Sequence, residues 1–255
     1  MNYMGGKHRQ GTVIARYIKQ VLEPGQLYVE PFCGALGVAS RVAPHVPMIL
    51  ADISLPLINM WRAFQDPALV LPDEVSEEEY LRVKATKNPE DWRTAYYGFG
   101  MSFGSKYWGG YARDVRGTDY AANLKRSTNL KRSTNLKRQA VGDACFAHAD
   151  YTHFSGLGGA VIYCDPPYAG RTKAHDFPKF DHREFWDWCR GMVNSGNVVL
   201  VTEFTVPPDF VVVHDFGDTV VRHHSALPPD GTREVLVCHH SQRGLFGGGD
   251  HGTVS

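Results

Sequence analysis

The feature that most constrains the fold of this chain is a short apolar run that ends against two prolines. Residues 160–164 (Ala-Val-Ile-Tyr-Cys) read as a buried strand, and Asp165-Pro166-Pro167-Tyr168 follows at once. Proline locks φ and lacks a backbone N–H, so the turn is stiff and its carbonyls are free to accept hydrogen bonds. A carboxylate and fixed acceptors beside a flat tyrosine ring suit a planar ligand with an exocyclic amino group, as a nucleobase has.

Other runs supply this strand with neighbours. Val13, Ile14, Tyr17, Ile18, Val21 and Leu22 are spaced for a helix over 8–21, closed by Pro24-Gly25. Residues 27–29 read as a strand, 30–37 as a turn leading into a helix to about Val42, 48–51 as a second strand ending in Asp52, and 55–65 as another helix. Strand–helix–strand–helix order implies parallel pairing. Strand-like runs resume at 160–164, 197–201, 210–214, 220–223 and 234–239, with a helix at 181–193. Between them, 68–158 is rich in Gly, Tyr, Arg and Lys and reads as an insert. The core domain is therefore expected at 1–67 and 159–240, with a flexible polar tail at 241–255.

A chain of 255 residues is long enough for one full core. Its longest apolar run falls well short of the ~18 residues of a membrane span, and its first residues lack the apolar core of a signal peptide. Five cysteines without a Cys-x-x-Cys pair fit reduced thiols in a cytoplasmic protein. The adjacent histidines 223-224 and 239-240 lack metal-ligand spacing, so no metal is expected.

The net charge of zero hides an asymmetry. Residues 123–138 contain six basic residues and no acid, while the rest of the chain has 21 basic against 27 acidic residues, a balance of −6. This segment is a repeat of period six, Asn-Leu-Lys-Arg-Ser-Thr, bearing Lys125, Arg126, Lys131, Arg132, Lys137 and Arg138. On a helix six residues advance about 600°, so successive copies would point in three directions. On an extended chain they keep one side. An extended or flexible basic arm for a polyanion is the expectation, with a solvated loop left by tandem duplication as the alternative.

Three further motifs accompany Asp165. Glu30-Pro31-Phe32-Cys33-Gly34-Ala35-Leu36-Gly37 follows a strand, and its glycines allow close approach of a ligand to the backbone. It is not Gly-x-Gly-x-x-Gly, which points away from a pyrophosphate. Asp52 ends the next strand, where an acid binds ribose hydroxyls in doubly wound sheets. A helix cap is the alternative there. Tyr3-Met4-Gly5-Gly6-Lys7 precedes the first helix and is weak evidence alone.

In this order these motifs resemble the Dam-type, α-group DNA adenine-N6 methyltransferases, especially phage-type DNA methylases. Residues 3–7 resemble motif X of that family, 30–37 motif I, 50–53 motif II and 165–168 the catalytic motif IV. Residues 180–186 are also typical of phage members, and the resemblance spans about 3–65 and 160–240. It implies a Rossmann-like α/β fold that uses S-adenosylmethionine, with a mostly parallel sheet, an antiparallel C-terminal hairpin and an inserted DNA-recognition region. Tyr3 would replace a usual tryptophan beside the cofactor, and Lys7 would contact the cofactor's methionine part or the site edge. Glu30, Phe32 and Gly34 would line the cofactor turn, Asp52 would bind the ribose, and Ile53 would face the adenine. Asp165 would touch both cofactor and target amino group, with Pro166 and Tyr168 completing the catalytic set around a flipped base.

The implied partner is duplex DNA, gripped by the insert through Lys106, Tyr107, Trp108, Arg113, Arg116 and the repeat. Packing of the aromatics into the insert's own core is the alternative for each. The chain is expected to act as a monomer, or as a dimer on DNA. N4-cytosine methylation, adenine methylation in RNA and a catalytically silent DNA-binding protein are the rival readings. Phage DNA protection, a restriction–modification system and host marking fit the residues equally.

Overall fold

A computed structural model describes residues 6–7, 9–42, 46–113, 120–168, 180–217 and 233–247. Tyr3, Arg116 and the strand expected at 220–223 lie outside the described residues. Among the described residues seven strands form one sheet: β1 (Tyr28–Glu30), β2 (Met48–Asp52), β3 (Cys145–His148), β4 (Val161–Cys164), β5 (Val198–Glu203), β6 (Phe210–Asp215) and β7 (Val235–His239). Their order is β3-β2-β1-β4-β5-β7-β6. β1 to β5 run parallel, whereas β7 is antiparallel to both β5 and β6. This is the expected α/β class, a mostly parallel sheet with an antiparallel C-terminal hairpin.

Both faces of the sheet are buried. Within β4, Val161 and Tyr163 join one apolar cluster while Ile162 and Cys164 join the other, as the period of two dictates. The first cluster holds α1 (Gly11–Val21), which buries Ile14, Ala15 and Ile18, and α2 (Leu55–Ala63), which starts with a proline in its first turn. It also holds residues of α3 (Glu77–Thr86) and α4 (Trp92–Gly100). The second cluster is covered by an α-helix at His182–Asn194, whose cap Asp181 accepts from Arg183 and Glu184 N–H.

Three departures from expectation have physical causes. The strand Cys145–His148 falls in the segment read as an insert, yet pairs parallel with β2 at the sheet edge. Its four residues include a histidine and an exposed cysteine, too short and polar a run to stand out. Residues 241–246 are not free: a 3-10 turn, His240–Phe246, buries Phe246 and Gln242. The Gln242 amide bonds Val199 N–H and the Asn197 carbonyl, tying the turn to the sheet. The helix expected after the 30–37 turn shrinks to a 3-10 turn at Ala39–Arg41. Gly34 and Leu36 both have left-handed φ (45° and 56°), so right-handed helix cannot begin there.

The largest correction concerns the basic repeat. Residues Tyr120–Val141 form an α-helix, α5, rather than an extended arm; the helix at His182–Asn194 is accordingly α6. Ser127, Leu130, Thr134, Lys137 and Val141 are buried. That spacing of three, four, three and four is one face of a helix. The face is stitched down locally: Ser127 Oγ accepts Val75 N–H at 3.1 Å, and Leu130 packs against Gly100. The mismatch between six and 3.6 residues gives identical copies different surroundings. Leu124, Leu130 and Leu136 are 37%, 5% and 59% exposed.

Accordingly Leu130→Ala is expected to cost about 2–4 kcal/mol in urea unfolding. Leu124→Ala and Leu136→Ala, in the same local sequence, are expected to stay near 0.5 kcal/mol. Equal losses at all three positions would contradict the helical register.

Candidate active site

The strand order reverses between β1 and β4, and ligands of doubly wound sheets bind at the carboxyl ends of strands flanking such a reversal. A cavity of about 340 Å³ opens there, lined by Glu30 ending β1, Asp52 ending β2 and Asp165 following β4. Lys7, Phe32, Gly34, Ile53, Pro166 and Tyr168 share it. Nine residues singled out from four separate stretches of sequence are thus brought to one place.

At the floor is an ion cluster. Lys7, almost fully buried, places Nζ 2.7 Å from Asp165 Oδ1 and 3.0 Å from Glu234 Oε1, and also bonds the Tyr168 hydroxyl. Tyr168 donates to Glu234 at 2.5 Å, and Gln10 holds the other Glu234 oxygen at 2.5 Å. Thr202 Oγ1 donates to Asp165 Oδ1 at 3.1 Å, and the Tyr168 hydroxyl lies 3.2 Å from the same oxygen. All of these contacts fall on Oδ1. Among the described residues Asp165 Oδ2 takes no hydrogen bond, so the carboxylate is oriented through one oxygen and offers the other.

Electrostatics follow from burial and charge. Burial alone would lower the Lys7 ammonium, but Asp165 and Glu234 hold it above its ordinary value. Burial raises Asp165 above the usual carboxylate range against the pull of Lys7. Glu234, buried as well, is kept below its usual range by Lys7, Tyr168 and Gln10. Sequence reading placed Glu234 in a strand and gave it no role. Nothing local marks it, because its partners are distant in the chain: Gln10 lies 224 residues away and Tyr168 66.

The cavity wall formed by Asp52, Ile53 and Phe32 carries its own polar and apolar groups. Asp52 accepts Gly34 N–H at 3.0 Å on one oxygen and Ser54 N–H at 2.9 Å on the other. Each oxygen keeps a second lone pair for a ligand hydroxyl. Asp52 thus braces the turn before α2, whose cap position is Ser54 rather than Asp52, and borders the cavity. Ile53 is 43% exposed beside it, an apolar surface for a flat ring. Phe32 stacks on Tyr151 with centroids 5.8 Å apart and meets Phe180 edge-on at 5.9 Å. Tyr151 and Phe180 also line the cavity; sequence reading passed over Tyr151 and gave Phe180, at the start of the 180–186 motif, no site role.

The insert's residues divide. Lys106 is exposed, and Arg113, 60% exposed, forms a two-point pair with Glu77. Tyr107 stacks on Phe99 with centroids 4.4 Å apart. Trp108, expected at a duplex, is instead buried against Tyr80, in space that Gly98 leaves open by having no Cβ. The large exposed aromatic of this loop is Phe103, 70% exposed. Along α5, Lys125 and Arg132 face solvent, Arg126 is half-buried, Lys131 pairs with Asp73 at 2.6 Å and Arg138 bonds the Leu69 carbonyl. Lys137, expected to meet phosphate, is buried and donates to the Ala35 carbonyl.

Glu30 yields a pH prediction. Tyr28 donates to its carboxyl at 2.5 Å, and burial pushes the group up to about 8. A carboxyl that binds its proton more tightly when folded adds stability below its unfolded value and loses it as pH rises toward the folded one. Stability of the ligand-free chain should therefore fall from pH 6.5 to 8. Glu30→Gln should flatten that slope in urea unfolding, and a slope unchanged by the substitution would contradict a neutral Glu30.

The chain matches the family model described as D12 class N6 adenine-specific DNA methyltransferase over residues 3–190. No curated protein matches its sequence. Among solved structures it is similar to TrmN from Thermus thermophilus, with 14% identity and a TM-score of 0.36, covering 89% of this chain and 48% of that one. It is also similar to a conserved hypothetical protein of Streptococcus pyogenes, with 7% identity and a TM-score of 0.37, covering 90% of this chain and 94% of that one. The chain thus spans about half the length of the Thermus protein. With the family match covering most of its residues, this chain belongs to the D12 class N6 adenine-specific DNA methyltransferases.

Proposed function

We propose that the protein methylates N6 of an adenine flipped out of duplex DNA, with S-adenosylmethionine as donor. The observation that carries this reading is Asp165: one carboxylate oxygen held by several donors, the other unclaimed among the described residues, at the wall of a cavity shared with Asp52 and Ile53. The donor set fits the cofactor. Asp52 would accept the ribose hydroxyls and Ile53 would cover the adenine, while Glu30, Phe32 and Gly34 would shape the turn around it. When bound, the cofactor supplies a methyl group on a positively charged sulfur.

The protein's task is then to make an amide-like nitrogen nucleophilic. The adenine N6 lone pair is delocalised into the ring. An N–H donated to Asp165 Oδ2 and another to the Pro166 carbonyl would favour a pyramidal nitrogen and free that pair. These acceptors would also stabilise positive charge as it develops on nitrogen. Lys7 and Thr202 fix Asp165 before the base arrives, so little orientation remains to be found in the transition state. Tyr168, its hydroxyl anchored to Glu234, would present its ring to the extruded base and offset part of the few kcal/mol of unstacking.

Duplex contact falls to the exposed residues of the 68–158 region. Lys106, Lys125 and Arg132, all exposed, would meet phosphates, and the exposed Phe103 would serve as the apolar wedge in place of the buried Trp108.

The test is Asp165→Ala. Transfer of labelled methyl to duplex DNA should fall by at least about 100-fold, the scale of an orienting acceptor, while duplex affinity in a mobility-shift assay stays within about threefold. Retained transfer would defeat this reading. Loss of DNA binding together with activity would show instead that Asp165 serves the fold.

A further inference from the structure

Four successive carbonyls of the cofactor turn accept hydrogen bonds from side chains. Trp61 Nε1 on α2 donates to Gly34 at 2.9 Å, Lys137 Nζ on α5 to Ala35, Ser40 Oγ to Leu36 at 2.6 Å, and Arg41 Nη1 to Gly37 at 2.5 Å. The turn needs such support. Leu36 sits in the left-handed region, which costs a residue with a Cβ roughly 1–2 kcal/mol. The same turn lines the cavity through Cys33, Gly34, Ala35 and Gly37.

Lys137 is the unusual donor of the four. Trp61, Ser40 and Arg41 lie within 27 residues of their acceptors, but Lys137 crosses 102 residues to reach Ala35. Its ammonium is buried, and burial followed by the nearby Arg41 charge brings it down to about 8, while Glu30 opposes that shift. Burying an ammonium against a neutral carbonyl is expensive, since a hydrogen bond without a paired charge offsets only part of the desolvation. Here it fixes the wall of the cavity.

We propose that Lys137 is a positioning residue that holds the cofactor turn in its binding shape and ties it to the basic helix α5. The proposal rests on the reading that the cavity takes S-adenosylmethionine. The repeat explains why one lysine alone of its three takes this role. Each copy is rotated about 240° from the last, so Lys125 faces solvent, Lys131 meets Asp73 and Lys137 meets the turn. Contact of α5 with the 3-10 turn at Ala39–Arg41 completes the junction. A helix that presents basic residues to a polyanion on one side thereby braces the methyl-donor site on the other.

The three lysines form their own control series. Lys125→Met, Lys131→Met and Lys137→Met in the full chain are titrated with S-adenosylmethionine by calorimetry without DNA. Steady-state kinetics on duplex DNA follow. Lys137→Met should weaken cofactor binding about tenfold, the scale of one lost charged hydrogen bond. Its KM for the cofactor should rise in parallel, with kcat within about twofold. Lys125→Met and Lys131→Met should leave cofactor binding within about twofold of the starting protein. Lys137→Gln keeps a polar group in the pocket and is measured alongside, with the same direction expected. Unchanged cofactor affinity in either Lys137 variant that retains a cooperative unfolding transition overturns the proposal and leaves the proposed function standing. Failure of the unmodified chain to bind the cofactor overturns both.

Discussion

The interaction on which the rest of the site depends is the buried ammonium of Lys7 between Asp165 and Glu234. It joins three parts of the chain that the sheet alone would leave independent: the segment entering α1, the end of β4, and the start of β7. Taking Lys7 away would leave two buried carboxylates uncompensated, a loss of several kcal/mol rather than the fraction expected of a surface pair. The cluster also orients Asp165 through Oδ1 and anchors the Tyr168 hydroxyl. The strand reversal makes room for a ligand, and the ion cluster turns that room into a site with a defined floor.

The turn at residues 34–37 shows the same logic on a smaller scale. Gly34 and Leu36 bend the chain away from helix, and the carbonyls this exposes are each met by a side-chain donor. A turn held from outside at four points can keep its inner surface for a ligand. The donors come from α2, α5 and the turn's own continuation, so the shape of the cavity wall depends on helices that do not touch its interior.

What could be read in the sequence was what is local. A strand broken by Asp165-Pro166-Pro167-Tyr168, an acid ending β2 and a glycine-bearing turn after β1 are contiguous patterns, and each takes its expected place. What could not be read depends on contacts distant in the chain. Glu234 acquires its role from Lys7 and Gln10. The strand Cys145–His148 is defined by pairing with β2 rather than by its own alternation. Trp108 resembles a duplex contact by composition and is a core residue by packing. The repeat misled for a related reason. Period six spreads identical residues around a helix, which argues against an amphipathic helix of six-residue units. Yet the chain selects one residue from each turn for burial, Ser127, Leu130, Thr134, Lys137 and Val141, and that selection is invisible until α5 has neighbours.

The most direct measurement is the chemical identity of the product. DNA and RNA from cells expressing the protein, digested to nucleosides and compared by mass spectrometry with cells expressing the Asp165→Ala variant, should differ by N6-methyladenine in DNA alone. N4-methylcytosine in place of it, methylation confined to RNA, or no difference between the two samples would contradict an active site built to methylate a flipped adenine.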